Sequence, residues 1–221
     1  MIVALDGPAG SGKSTIARAV AEQWGAHYVN SGIYYRAITL AALEYGILQA
    51  PLPGNAVPDL SEPGLTVGPE LDRLAQFLDL SVSGDSVRIG NFNRSSDIRT
   101  ETVDRLVAPV SARPAVRAAV NRRLRALADG ADLVVEGRDM TTVVFPEAEI
   151  KFYLDARVEV RARRRAGTAV DPQELAEIAE RISARDEVDR SKQVGRLQRA
   201  DDAQYLDTSD LTVDEVCEII L

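Results

Sequence analysis

Eight residues near the start of the chain, Gly7 to Ser14 (GPAGSGKS), match the pattern GxxxxGK[ST], a spacing suited to holding a polyphosphate. The glycines let successive backbone N–H groups turn toward one point, and a helix starting there adds partial positive charge. Lys13 is placed to reach the β and γ phosphates, and the Ser14 hydroxyl to hold magnesium. The expected triphosphate contacts are therefore Gly7, Pro8, Ala9, Gly10, Ser11, Gly12, Lys13, Ser14 and Thr15. GTPases, motor ATPases and small-molecule kinases share this cradle, so the motif names a ligand and not a reaction.

Three further clusters carry chemistry. Asn30, Ser31, Tyr34, Tyr35 and Arg36 offer hydroxyls, aromatic faces and a guanidinium; Gly137, Arg138 and Asp139 form a second group. In the third, Ile178 and Ile182 define an apolar helical stripe that Arg185 and Asp189 continue. A charge pair facing inward needs partners, because an unpaired buried ion costs several kcal/mol. An internal i, i+4 ion pair between Arg185 and Asp189 meets that need, and Arg138 with Asp139 also reads as a solvated turn. Beside a triphosphate cradle, the same groups suggest a second pocket, with arginines for an anion and aspartate and serine for a neutral polar ring.

The elements that must position these residues follow from periodicity. Short apolar runs predict strands at Ile2 to Leu5, His27 to Val29, Asp132 to Glu136, Glu149 to Leu154 and Gln204 to Leu206. Between them lie helical patterns, the clearest from Lys13 to Trp24, and the alternation implies a parallel sheet covered on both faces. In such sheets ligands gather beyond the carboxyl ends of the strands, where the first two clusters fall. Residues 49 to 68 hold four prolines and three glycines, which breaks the rhythm. A short helix from Glu70 to Leu78 and a hairpin over Leu80 to Ile89, turning at Gly84 and Asp85, come next. Residues 49–99 therefore read as an insert into a core of residues 1–48 and 100–221. Asp171, Pro172 and Glu174 start one late helix, and Thr212 with Glu215 forms the capping box of another.

Composition excludes several classes. The 221 residues are 45% apolar and 27% charged with a single cysteine, Cys217, which rules out collagen, a disordered chain and a disulfide scaffold. A net charge of −8 argues against a broad nucleic-acid footprint, so any anion site is local. With no leader pattern and no run of 18 apolar residues, a cytoplasmic location without membrane partners is expected. His27, inside a strand, and Cys217, on the apolar face of the last helix, read as structural residues.

The segments VALDGPAGSGKST, NSGIYYRAITLAAL, IRTETV, RPAVRAAVNRRLR, VVEGRDMTTVVFP, ISARDEVDRSK and LDTSDLTVDEV together resemble the bacterial cytidylate kinases, from Met1 almost to Leu221. The resemblance implies an α/β P-loop nucleoside monophosphate kinase fold: a five-stranded parallel sheet in the order 2-3-1-4-5 flanked by helices, a small α+β insert for the monophosphate, and a helical lid at about residues 157–170. It implies that Ser31, Tyr35, Arg36 and Arg117 line the monophosphate pocket with Arg138, Asp139, Arg185 and Asp189. Arg161, Arg164 and Arg165 would close over the triphosphate, joining Lys13, Arg138 and Arg185 in catalysis. The implied substrates are ATP with Mg²⁺ and CMP or dCMP, the implied partners are small nucleotides only, and the chain is expected to act as a monomer. The chain departs from the family pattern at Asn30 (usually aspartate), Ala108 (serine), Thr141 (glycine), Lys192 (arginine) and Arg196 (proline). A lost hydroxyl removes a discriminating hydrogen bond. Another acceptor, such as UMP or a small phosphorylated metabolite, and a nucleotide-binding regulatory module therefore stay open.

Overall fold

Strand β1 (Ile2–Asp6) is buried from Val3 onward, and the strand paired beside it, β6 (Leu133–Gly137), is buried at every residue. Strands covered on both faces need apolar side chains throughout, which is why IVALD and LVVEG do not alternate. The computed structural model describes residues 1–49, 68–167 and 171–221. In chain order its other main elements are α1 (Lys13–Trp24), β2 (His27–Asn30), α2 (Ser31–Glu44), α3 (Gly68–Phe77), β3 (Leu80–Ser83), β4 (Ser86–Ile89) and β5 (Phe92–Asn93). After these come α4 (Glu101–Ala112), α5 (Pro114–Ala126), β7 (Ile150–Asp155), α6 (Val158–Ala166), α7 (Pro172–Ser191), β8 (Gln204–Asp207) and α8 (Val213–Ile220).

The five-stranded sheet runs β2-β6-β1-β7-β8, the 2-3-1-4-5 order expected of the core strands. Strand β1 pairs in parallel with β6 and β7, and β7 with β8: Ile2 stands opposite Leu133, Val3 opposite Ile150, and Phe152 opposite Gln204. Helix α1 packs Ile16, Ala17 and Val20 onto Val3, Leu5 and Phe152, and α8 adds Val216, Cys217 and Ile220 to the same core. Cys217 is fully buried there, and burial raises its thiol pKa. The Thr212–Glu215 capping box is present in full at the start of α8. His27 is exposed at the start of β2, where its N–H donates to the Asp132 carbonyl (2.9 Å).

Two compact units result: Met1–Val29 with Leu127–Leu221, and Asn30–Ala126. The division falls at 30 and 126, outside the expected 49 and 99. The reason is α2, a helix whose Ile33, Tyr34, Ala37, Ile38, Leu40 and Ala42 are all buried. It packs against α4, α5, α3 and β4, so it belongs with the insert and not with the parallel sheet. The expected hairpin is there, turning at Gly84 in the left-handed region (φ +56°), and a third short strand, β5, completes an antiparallel β3-β4-β5 sheet. Residues 50–67, most of the Pro- and Gly-rich stretch, and residues 168–170 of the expected lid lie outside the described residues. Among the described residues no helix is long and apolar enough to cross a membrane.

Candidate active site

Residues 7–12 join the carboxyl end of β1 to the first turn of α1. Gly12 caps α1 in the left-handed region (φ 91°) and has no side chain to offer, and the first turn holds no acid. The first N–H groups of this helix and its dipole are thus left for an anion. Gly7 permits the close passage of the loop past β7: a Cβ there would lie 2.0 Å from the Leu154 carbonyl oxygen, at φ +151°. Lys13 Nζ donates to the Pro8 carbonyl (2.6 Å) and to Ser11 Oγ (3.4 Å). Burial, and after it the charge of Arg138, bring the Lys13 pKa down from 10.5 to about 7. A phosphate beside it restores the cation, because an opposite charge favours the charged form.

Ser14 follows Lys13 at the exposed start of α1 and makes no side-chain hydrogen bond among the described residues. Its hydroxyl suits a hard cation such as Mg²⁺. Among the described residues no group of three or more His, Cys, Asp or Glu forms a ready metal cage. The remaining ligands of such an ion would come from triphosphate oxygens and water, the usual arrangement for magnesium.

The outer side of the loop is held by α6 and its neighbours. Arg161 is buried and donates to the carbonyls of Ala9 (3.0 Å) and Ala156 (2.9 Å) and to the Asp186 carboxylate. Arg164 donates to the Ser11 carbonyl (3.3 Å) and to Thr208 Oγ1 (3.0 Å), and the Thr208 hydroxyl donates to the same Ser11 carbonyl (3.0 Å). Of the three expected lid arginines only Arg165 is exposed with no partner among the described residues. Thr208 and Asp186 were not singled out in the sequence. Asp186 has a signal there, since it lies four residues after Ile182 on the buried stripe of α7.

The carboxyl end of β6 holds the next group. Arg138 Nε donates to Asp189 Oδ2 (3.0 Å) and Lys192 Nζ to Asp189 Oδ1 (2.7 Å), so Asp189 pairs with these two groups. Burial pushes the Asp189 carboxyl up, but Arg138, Lys192 and Arg185 more than offset it and hold it at about 2. Arg185 is half-buried, and Asp139 is buried where the chain leaves β6. A π turn, Met140–Val144, follows, and Asp6 anchors it by accepting from Met140 N (2.9 Å), Thr141 N (2.7 Å) and Thr141 Oγ1 (2.7 Å). Thr141, in place of the family's glycine, is accommodated because its buried hydroxyl is satisfied by Asp6. Burial still raises the Asp6 pKa to about 6, with the bonds from Thr141 and Met140 opposing it.

The other unit holds Ser31, Tyr35, Arg36 and Arg117. Asn30 caps α2 by accepting from Gly32 N (2.9 Å), a task that aspartate and asparagine perform alike, and Ser31 is buried behind it. Arg36 is tied to the Asp104 carboxylate and donates to the Ile98 carbonyl (3.1 Å). The Arg117 guanidinium lies 5.5 Å from the centre of the Tyr35 ring, a cation–π contact, and donates to the Ser111 carbonyl (3.2 Å). Ala108 lies on α4, where its carbonyl accepts from Ser111 Oγ (2.9 Å). Each unit thus gathers its own share of the expected residues.

Comparison with known proteins bears on the whole chain. The profile of the cytidylate kinase family matches residues 3–221. A cytidylate kinase of Borrelia hermsii (strain HS1 / DAH) is 38% identical over 223 residues, covering 100% of this chain and 96% of that protein. One from Exiguobacterium sibiricum is 40% identical over 221 residues, covering 97% of this chain and 92% of its own length. A solved structure of an uncharacterized protein from Eubacterium ventriosum shares the fold, with a TM-score of 0.50 at 12% identity over 100% of this chain and 95% of that one. A match that runs unbroken through both the phosphate cradle and the arginine clusters leads to one assignment: the chain belongs to the cytidylate kinase family.

Proposed function

We propose that this protein transfers the γ-phosphoryl group of ATP to the 5′ phosphate of CMP or dCMP. An acceptor phosphate oxygen bonds to the γ phosphorus as the bond from that phosphorus to the β–γ bridging oxygen breaks, leaving ADP and the pyrimidine diphosphate. No covalent enzyme intermediate is required. Two polyanions must meet in line, so catalysis consists of positioning and charge neutralisation. The amides of Gly10 and of residues 12–15, with Lys13, hold the triphosphate, and of the three arginines expected to close over it Arg165 is the one left to approach it. Mg²⁺, held on the protein side by Ser14, neutralises phosphate charge when bound. The acceptor ligands in this reading are Ser31, Tyr35, Arg36, Arg117, Arg138, Asp139, Arg185 and Asp189, with the guanidiniums on phosphate and the aspartates on sugar or base.

The single observation that carries this reading is the family match over residues 3–221, which takes in every one of those residues. A nucleoside monophosphate panel in a coupled ADP-release assay tests it. Turnover with CMP and dCMP is the expected result, and ATP use with neither removes the reading. A second acceptor, UMP, is favoured by one feature: Ala108 has no hydroxyl where the family's cytosine-recognising serine is expected. Comparable rates with CMP and UMP in the same panel would establish that broader specificity.

A further inference from the structure

A loop that presents its N–H groups to an anion must turn its carbonyl oxygens elsewhere, because an inward carbonyl repels phosphate and a buried one needs a donor. Here those carbonyls have named donors: Lys13 serves Pro8, Arg161 serves Ala9, and Arg164 with Thr208 serves Ser11. Arg161 and Arg164 lie three residues apart on α6 and so share one face of the helix. At Gly10 a Cβ would approach Arg161 Cβ and its carbonyl oxygen to 3.1 Å each, which shows how tightly α6 lies against the loop.

The ends of this contact are locked by Asp186 on α7. Its side chain is 2% exposed and that of Arg161 7%; Asp186 Oδ2 accepts from Arg161 Nη1, and Oδ1 lies 3.4 Å from the Ala9 N–H. The ion pair therefore takes both polar groups of Ala9, one through each partner. A buried ion pair contributes little to stability on balance, so its worth lies in the geometry it imposes.

We infer that Asp186 and Arg161 are positioning residues for phosphoryl transfer: together they fix the Ala9 peptide so that the cradle is preformed for the triphosphate, while touching neither substrate. The inference rests on the kinase reading above for the identity of the ligand. It assigns Arg161 a place behind the phosphate loop and not over the phosphates.

The test compares ligands. In Asp186→Asn, which keeps the shape and an acceptor for the Ala9 N–H but removes the charge holding Arg161, MgATP affinity by titration calorimetry should fall by about tenfold or more, with CMP affinity within about twofold of wild type. Because Asp186→Asn leaves a buried guanidinium unpaired, the double variant Arg161→Met, Asp186→Leu is measured in parallel. It removes both charges, so it should keep the wild-type Tm within a few degrees and show the same selective loss of MgATP. KM for ATP should rise in both while KM for CMP does not. Folded variants that bind MgATP like wild type, or that lose both ligands equally, overturn the inference. The wild type run alongside separates the two readings: if it binds MgATP without phosphorylating CMP, the acceptor assignment fails, and the affinity ratio still decides the role of Asp186.

Discussion

Lys13 combines two properties that bear directly on the proposed activity: its side chain turns back onto the glycine-rich loop, and burial lowers its pKa to about 7. Replacing it with alanine should lower kcat by at least about a hundredfold, roughly 3 kcal/mol of transition-state stabilisation, in the coupled assay. The titration adds a sign. Triphosphate binding raises the lysine pKa, so above pH 7 binding takes up a proton and affinity falls as pH rises. Calorimetry of MgATP at about pH 8.5 in buffers of different ionisation enthalpy should report uptake approaching one proton. Lys13→Ala should abolish it; equal heats across buffers in the wild type would contradict the depressed pKa. At the acceptor, Arg138→Ala or Arg185→Ala should weaken CMP far more than ATP. Lys13 and the cradle were legible in the sequence because a single contiguous motif specifies backbone shape, helix start and cation together. Asp186 was not, since its role depends on Arg161, 25 positions away, and on the Ala9 peptide, 177 away.

At the scale of elements, the cradle depends on how closely β1 and α1 pass β7 and α6. Gly7→Ala puts a methyl carbon at the Leu154 carbonyl in a backbone conformation that side chains rarely adopt, a conflict of about 3 kcal/mol. The expected outcome is a lower Tm together with loss of MgATP binding, measured by calorimetry. Thr212→Ala is the contrasting change. It removes the capping box of α8 at a cost of about 1 kcal/mol and should leave ATP affinity unaltered, because α8 packs into the apolar core with Ile16, Ala17, Val20 and Ala21, while the loop carbonyls are held by Lys13, Arg161, Arg164 and Thr208. Most of these elements could be read from periodicity, and the five parallel strands fall where the apolar runs predict them. The π turn at Met140–Val144 and the short strand β5 had no such signal. The first exists because Asp6 grips its two leading amides, and the second because Phe92 and Asn93 pair with Ile89 and Arg88.

For the molecule as a whole, charge placement sets the response to pH. Asp189 is held at about 2 in the fold against an ordinary value of 3.8, so it contributes stability that is complete above about pH 4 and is lost as pH falls toward 2. That amounts to roughly 2 kcal/mol. Asp6 acts oppositely: its pKa, raised to about 6, makes its burial progressively more costly as pH rises from about 4 to 6. The stability difference between wild type and Asp189→Asn, from urea unfolding at pH 5 and pH 2.5, isolates the first effect and should shrink on acidification. A difference constant with pH would contradict the Arg138–Asp189–Lys192 arrangement. Sequence alone determined the phosphate-loop motif and the parallel sheet, which rest on a local motif and on strand and helix periods, and the family, whose resemblance spread along the entire chain is what implied the strand order. Only the tertiary structure decided which carboxylate pairs with which arginine, that α2 belongs with the insert, and that two of the three arginines expected to close over the triphosphate serve the cradle's carbonyls instead. Charge pairing and burial are set by distances between residues far apart in the chain, and a linear pattern carries no measure of those distances.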